Sequence, residues 1–315
     1  MPNENQLRYN TARVQPEGTV GDTGDDTNVL QMRLSNAGIS RDIAGSQERS
    51  DPWRTREFND VVHQGWNVEL FGELRTGGFL PWLLSMIAEA GTAERGLDVW
   101  ELNPAATDPS SYAVQFEGID GTSTFTGCKV KRINLQLTGR KAITYAIELV
   151  ALTRSTTEGT WTTTGTEAGD ILTTSTAQLA LAGDLAADPD SNTETGYEAS
   201  IELYRGELDS ADFSADGIPQ GHTAAGAWDV TGKVLMPETT GITDEAIGST
   251  FNGEINLRCG SEAGETLEIE AGIIGVVTKR RTISDDFKQA TIDFVSRRGS
   301  NQAIARFLTD QPSLT

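Results

Sequence analysis

Thr124 to Gly139 reads T-F-T-G-C-K-V-K-R-I-N-L-Q-L-T-G, and its alternation changes phase part-way along. Cys128 and Val130 share one parity, whereas Ile133, Leu135 and Leu137 share the other. Successive residues of a strand point to opposite faces, so a change of parity requires an extra residue. The pattern predicts a β-bulge near Lys131 and Arg132. Thr138-Gly-Arg-Lys141 then supplies a turn, and Ile143, Tyr145, Ile147, Leu149 and Ala151 alternate along a return strand. The two strands read as a hairpin.

Upstream, the first thirty residues are rich in Gly, Asp, Thr and Asn and hold no lasting period, which predicts an arm or long loop. Leu30, Met32 and Leu34 alternate with polar neighbours as in a half-buried strand. The polar run Asn36 to Gln64 predicts an extended loop. A second strand is expected over Trp66 to Arg75, with Gly72 inside it, and a third over Tyr112 to Glu117. Between them, Phe79 to Ala90 is apolar without alternation and carries Pro81 where a first helical turn accepts it, so a short buried helix ending at Gly91 is expected.

Downstream of a Thr-, Gly-, Ala- and Asp-rich stretch, Thr153 to Asp190, the same order returns. Ala199, Ile201 and Leu203 alternate as Leu30, Met32 and Leu34 do, 169 residues earlier. Val230-Thr-Gly-Lys-Val234 matches Leu70-Phe-Gly-Glu-Leu74 at an offset of 160, each with a tryptophan upstream, Trp228 and Trp66. Ile242 to Asn252 is a second expected short helix, closed by Gly253. Leu267, Ile269, Ala271 and Ile273 alternate, and after T-K-R-R-T-I-S-D-D the strand Ala290 to Val295 matches Tyr145 to Val150 at an offset of 145. Three matches in one order point to two β-rich units with one origin.

Composition narrows function. The chain has 315 residues, with 46 acidic against 25 basic side chains and a formal net charge of −21. Its hydrophobic share of 37%, about 46% when Gly is counted and Tyr is not, is that of a folded protein. An acidic surface repels polyanions, which disfavours tight duplex binding; a high-salt habitat would favour the same composition. Two cysteines, Cys128 and Cys259, make no disulfide framework. The N-terminus lacks a signal-peptide pattern, and the best apolar run is too short to span a bilayer, so synthesis in the cytoplasm without a membrane anchor is expected.

No constellation speaks for catalysis. His63 and His222 precede corresponding strands in polar runs and read as loop histidines, neither with a His or Cys at metal-ligand spacing. Asp184, Asp188 and Asp190 lie close together but lack the glycine and terminal glutamate of a calcium loop, so a solvated linker is the reading. No phosphate-cradling glycine loop occurs. Cys128 has only flanking lysines to activate it and reads as structural. Basic residues cluster at Lys129, Lys131, Arg132, Arg140 and Lys141, and again at Lys279, Arg280, Arg281, Arg297 and Arg298. In so acidic a chain such clusters suit acidic surface on a neighbouring subunit. Catalytic, cofactor and metal residues are therefore expected to be none.

The order of these segments resembles the major tail tube proteins of long-tailed bacteriophages, in the larger type with two tube domains in tandem. The resemblance rests on Leu70 to Leu74 with the helix after it, on Tyr112 to Glu117 leading into Gly127-Cys-Lys-Val130 and its hairpin, and on their second copies. It implies a mainly β fold with short helices. Residues 1–155 would form a first tube domain with an N-terminal arm, 156–195 a linker or insertion, and 196–315 a second tube domain, each domain a β-barrel or sandwich with one short helix. It further implies trimeric rings with pseudo-sixfold symmetry, stacked into a hollow tube in the virion tail. The expected partners are further copies of the chain, the tape-measure protein and other tail proteins, with double-stranded DNA passing through untethered. Six domains of about four strands at ~4.8 Å spacing give a circumference of ~115 Å and a bore of roughly 37 Å. The alternatives are an extracellular two-domain β-sandwich that binds carbohydrate and a hydrolase built on paired carboxylates.

Overall fold

A computed structural model of the chain describes residues 11–19, 29–45, 61–75, 84, 87–93, 96–102, 111–118, 121–138, 141–166, 171–172, 178–181, 198–206, 210–213, 219–222, 227–237, 250–259, 267–281, 288–296 and 305–309. These residues are mainly β, with antiparallel pairing almost throughout and almost no helix. Up to the first long hairpin the strands are β1 (Thr11–Pro16), β2 (Leu30–Arg33), β3 (Asn36–Gly45), β4 (Val61–Glu73), β5 (Glu89–Ala90), β6 (Asp98–Leu102) and β7 (Tyr112–Gly118). The hairpin and the connection after it hold β8 (Gly121–Thr138), β9 (Thr144–Ala151), β10 (Thr153–Ser155), β11 (Gly165–Thr166) and β12 (Gln178–Leu181). The remainder holds β13 (Glu198–Arg205), β14 (Ser210–Phe213), β15 (Pro219–His222), β16 (Trp228–Pro237), β17 (Thr250–Cys259), β18 (Leu267–Arg281), β19 (Lys288–Ser296) and β20 (Ala305–Thr309).

β8 belongs to two sheets. Its first half lies between β7 and β10, in a small sheet that continues through β1 and β2 to β11. Its second half lies between β9 and β13, in a long sheet ordered β3, β4, β9, β8, β13, β16, β19, β18, β17, β12. Gly127 marks the change, with φ of 65°, a left-handed conformation that costs a residue with a Cβ and costs glycine little. The register between β8 and β9 shifts between Val130 and Arg132, so Lys131 is the extra residue and the bulge stands where the parity break put it.

The inner face of the long sheet carries Val68, Leu70, Ile133, Leu135, Ile201, Leu203, Val230 and Phe294, all buried in one core with residues of both halves. A second layer covers it: the start of β18 pairs with β20, β20 with β6, and β6 with β5. Leu84 and Ile87 wedge between the layers, meeting Leu74, Ile133, Leu203 and Phe307 around one small void. Truncating such a buried leucine to alanine costs ~2–5 kcal/mol.

Several expectations need correction. The run Asn36 to Gln64 is no loop where described: β3 pairs with β4 from Asn36↔Phe71 to Gly45↔Val61. Gly38, Arg41 and Asp42 dilute its alternation, and backbone pairing supplies what the side chains do not signal. The expected arm contains β1, buried through Ala12 and Val14 between β2 and β7. Of the first helix, Leu84 and Ile87 are helical and the Ala88 N–H donates to the Leu84 carbonyl at 2.9 Å, but Glu89 and Ala90 pair with β6 as a strand. The second expected helix is contradicted at its end, where Thr250 to Asn252 open β17; its remainder lies outside the described residues. Thr278 to Arg281, read as a connection, extend β18 in pairing with β19.

Candidate assembly surface

The two halves share one strand order. β3, β4, β9 and β8 lie side by side, then β13, β16, β19 and β18 repeat the sequence of first strand, second strand, return strand and third strand. β13 therefore corresponds to β3 and not, as the alternation of Leu30 to Leu34 suggested, to β2, which pairs with β1 and β11 in the small sheet. One cross-strand row runs through all eight: Asn36, Phe71, Ala146, Asn134, Glu202, Thr231, Val295 and Ile274. At ~4.8 Å per strand the row is ~34 Å broad.

The neighbouring row shows the same device twice. Gly72 faces Tyr145 and Gly232 faces Phe294 across the β4–β9 and β16–β19 ladders. A Cβ on Gly72 would sit 2.3 Å from the Tyr145 hydroxyl, and one on Gly232 would sit 2.3 Å from Phe294 Cζ. Each ring lies over a glycine that leaves it room. This pairing aligns Phe294 with Tyr145, an offset of 149, where sequence alternation alone aligned Ala290 with Tyr145 at 145.

The seam where the halves join is β8 against β13, seven residue pairs from Arg132↔Tyr204 to Thr138↔Glu198. Arg132 spans it. Its Nε lies 3.8 Å from a carboxylate oxygen of Glu148 and 3.8 Å from one of Glu202, and its guanidinium sits 5.0 Å over the Tyr204 ring.

Among the residues whose side chains are described, the outward face of the eight strands carries more acidic than basic groups, with Phe71, Ala146 and Val295 between them. Glu69, Glu73, Glu148, Glu198, Glu202, Asp229 and Asp293 occupy it against Arg132 and Lys233, the latter 3.5 Å from Asp293. Glu69 and Glu148 stand directly opposite each other, a pairing that repels on its own and is relieved where Arg132 reaches Glu148. Val295, 51% exposed, is the large hydrophobic residue standing out among the described residues.

Cys128 sits beside the bend, fully buried. The Gly127 N–H donates to Glu17 Oε1 at 2.7 Å, and His222 Nε2–H donates to the Gly127 carbonyl at 2.6 Å. Burial pushes the Cys128 thiol well above its ordinary 9.0, and the Glu17 carboxylate adds to the push. A thiol so placed stays protonated at neutral pH and is a packing residue.

Of the residues singled out from sequence, Lys129 is buried, Lys131 is half-buried at the bulge and Arg132 is exposed on the outward face. His63 lies in β4 and His222 at the end of β15, so both are strand residues. Cys259 ends β17. Arg140, Arg297, Arg298 and the Asp184, Asp188 and Asp190 group lie outside the described residues. The connection expected at 156–195 is built into the fold where described: Gln115 donates to the Gly159 carbonyl and accepts from the Trp161 N–H, and β12 pairs with β17. Sequence reasoning missed Tyr204, whose alternation with Leu203 and Arg205 was the available signal. Among the described residues no His, Cys, Asp or Glu group is arranged to hold a metal, and no helix is long and apolar enough to cross a membrane. No protein-family model matches the chain, and no curated protein matches it in sequence.

Proposed function

We infer that this chain is a structural virion protein that joins head to tail into rings, the rings stacking into the tail tube of a long-tailed bacteriophage. The observation that carries this is the internal seam. The last strand of the first quartet, β8, pairs with the first strand of the second, β13, so one chain already contains one joint of a repeating sheet. A heterologous joint of this kind closes into a ring when its rotation allows and otherwise propagates.

Two tandem tube domains account for the eight-strand row, four strands from each. Three copies would supply twenty-four strands, a circumference of ~115 Å and a bore of roughly 37 Å before side chains, wide enough for a duplex. The acidic outward face then lines the bore. Carboxylates there repel phosphates, so DNA slides past a wall that releases no counterions to hold it. The same bore would seat the tape-measure protein during assembly in the host cytoplasm.

Negative-stain microscopy of the purified chain tests the reading. Rings or tubes with three chains per ring are expected; a chain that stays monomeric across the salt and concentration range of tail assembly overturns it. A tube whose bore is basic or neutral would overturn the sliding mechanism alone.

A further inference from the structure

β18 and β8 hold corresponding places, but their outer flanks are filled differently. Along the common row, Asn134 of β8 is followed by Glu202 of β13, the first strand of the next quartet. Ile274 of β18 is followed by Asn252 of β17. Extending the internal seam to a second copy would place Asn36 of that copy opposite Ile274, because Asn36 and Glu202 occupy the same place in their quartets. β17 therefore lies where the next β3 belongs. It has the same antiparallel sense as β13, and it covers Gly272 to Val276, five of the seven positions that correspond to the seam on β8. At the other end of the sheet, β3 pairs with β4 alone among the described residues, which leaves a flank for the partner strand.

We propose that β17 is an edge cap: in the isolated chain it occupies the flank of β18 that the neighbouring copy's β3 takes in the ring. This rests on the tail-tube reading. An uncapped β18 and an uncapped β3 on one molecule would polymerise wherever chains meet, the hazard carried by every open sheet edge. With β17 in place, this flank of β18 is paired from Leu267 to Val276 in the monomer. Assembly exchanges the ten-pair antiparallel ladder with β17 for a seam that is seven pairs long between β8 and β13, and the rate is set by peeling β17 away. A free chain then waits, and a chain meeting a growing tube opens.

A disulfide lock tests the cap. In a Cys259→Ser background, Asn252→Cys with Ile274→Cys, and separately Ile255→Cys with Ala271→Cys, join positions that face each other across the β17–β18 ladder. The oxidised forms are expected to assemble more than tenfold more slowly than their reduced forms, read by sedimentation and microscopy. A second variant, Asn36→Cys with Ile274→Cys, is expected to form disulfides between chains in finished tubes and none in monomers. Locked protein that assembles as fast as reduced protein, or tubes without the Asn36–Ile274 cross-link, overturns the cap while leaving the tube reading intact. A parent chain that forms no rings or tubes overturns both.

Discussion

β8 and β18 are the same strand of two quartets and behave oppositely. β8 bends at Gly127, takes an extra residue at Lys131 and crosses from one sheet to the other. Its hairpin partner β7 parts from it at Cys128, and the flank from Arg132 to Thr138 is left for β13. β18 keeps one register with β17 from Leu267 to Val276 and one with β19 from Ile273 to Arg281. It too passes from one layer to the other, pairing with β20 from Leu267 to Glu270 and with β19 from Ile273 on, but with no register shift against β17 it keeps its hairpin partner beside it. A left-handed glycine and a bulge thus stand where the flank of β8 passes from its own hairpin partner to another unit.

The largest expected effect comes from straightening β8. In Gly127→Val the new Cβ would lie 2.7 Å from Leu152 Cδ1 at a φ of 65°, a clash added to a conformation that β-branched residues avoid. Urea unfolding should show a loss of about 3 kcal/mol, with Gly127→Ala losing less. A Gly127→Val protein as stable as its parent would mean that the bend does not depend on glycine.

The matched glycines sharpen the comparison. Gly72→Ala and Gly232→Ala should each cost roughly 1–3 kcal/mol, the second more, because its Cβ also meets the Ser200 carbonyl at 2.5 Å. Adding Tyr145→Leu should recover most of the Gly72→Ala loss, whereas Phe294→Leu should leave Gly232→Ala impaired by the backbone contact. Equal rescue in both halves would show that the rings alone set the constraint.

Cys128 gives a pH signature to the bend. Its folded thiol titrates above the ordinary 9.0, so the unfolded chain loses the proton first and the folded state binds more protons. The stability it contributes is present below pH 9 and declines above it, by up to about 1.4 kcal/mol per pH unit. Denaturation of parent and Cys128→Ala protein across pH 8 to 10.5 should show the steeper fall in the parent; parallel curves would mean that the thiol is accessible.

The smallest effect belongs to the seam. Arg132→Ala removes two long ion pairs and a ring contact from a side chain 44% exposed, worth about 1 kcal/mol or less and reduced by salt. A double-mutant cycle with Glu202→Ala reads the coupling. A loss several times larger would show that Arg132 fastens the two quartets together.

The strands that sequence revealed are those whose apolar residues alternate: β2, β4, β9, β13, β16, β18, β19 and the second half of β8, with β7 and the first half of β8 found although both their faces are buried. The bulge at Lys131 was visible because two apolar residues before it and three after it have opposite parity. β3 was missed because glycine and charge interrupt its alternation, β1 because Ala12 and Val14 are too few apolar residues to set a period, and β17 because its start lay within an expected helix. The acidic composition was plain, but which of its carboxylates share the outward face of the eight strands depends on which parity turns inward.

The sequence by itself determined the mainly β character, the match of Val230–Val234 with Leu70–Leu74 and the place of the bulge, because period and parity are local properties of the chain. Only the tertiary structure decided that β8 joins the two quartets, that Tyr145 and Phe294 lie over glycines, and that β17 closes the flank of β18. Pairing is a choice among many strands of similar pattern, and it is settled by which edges remain free once the bends are made.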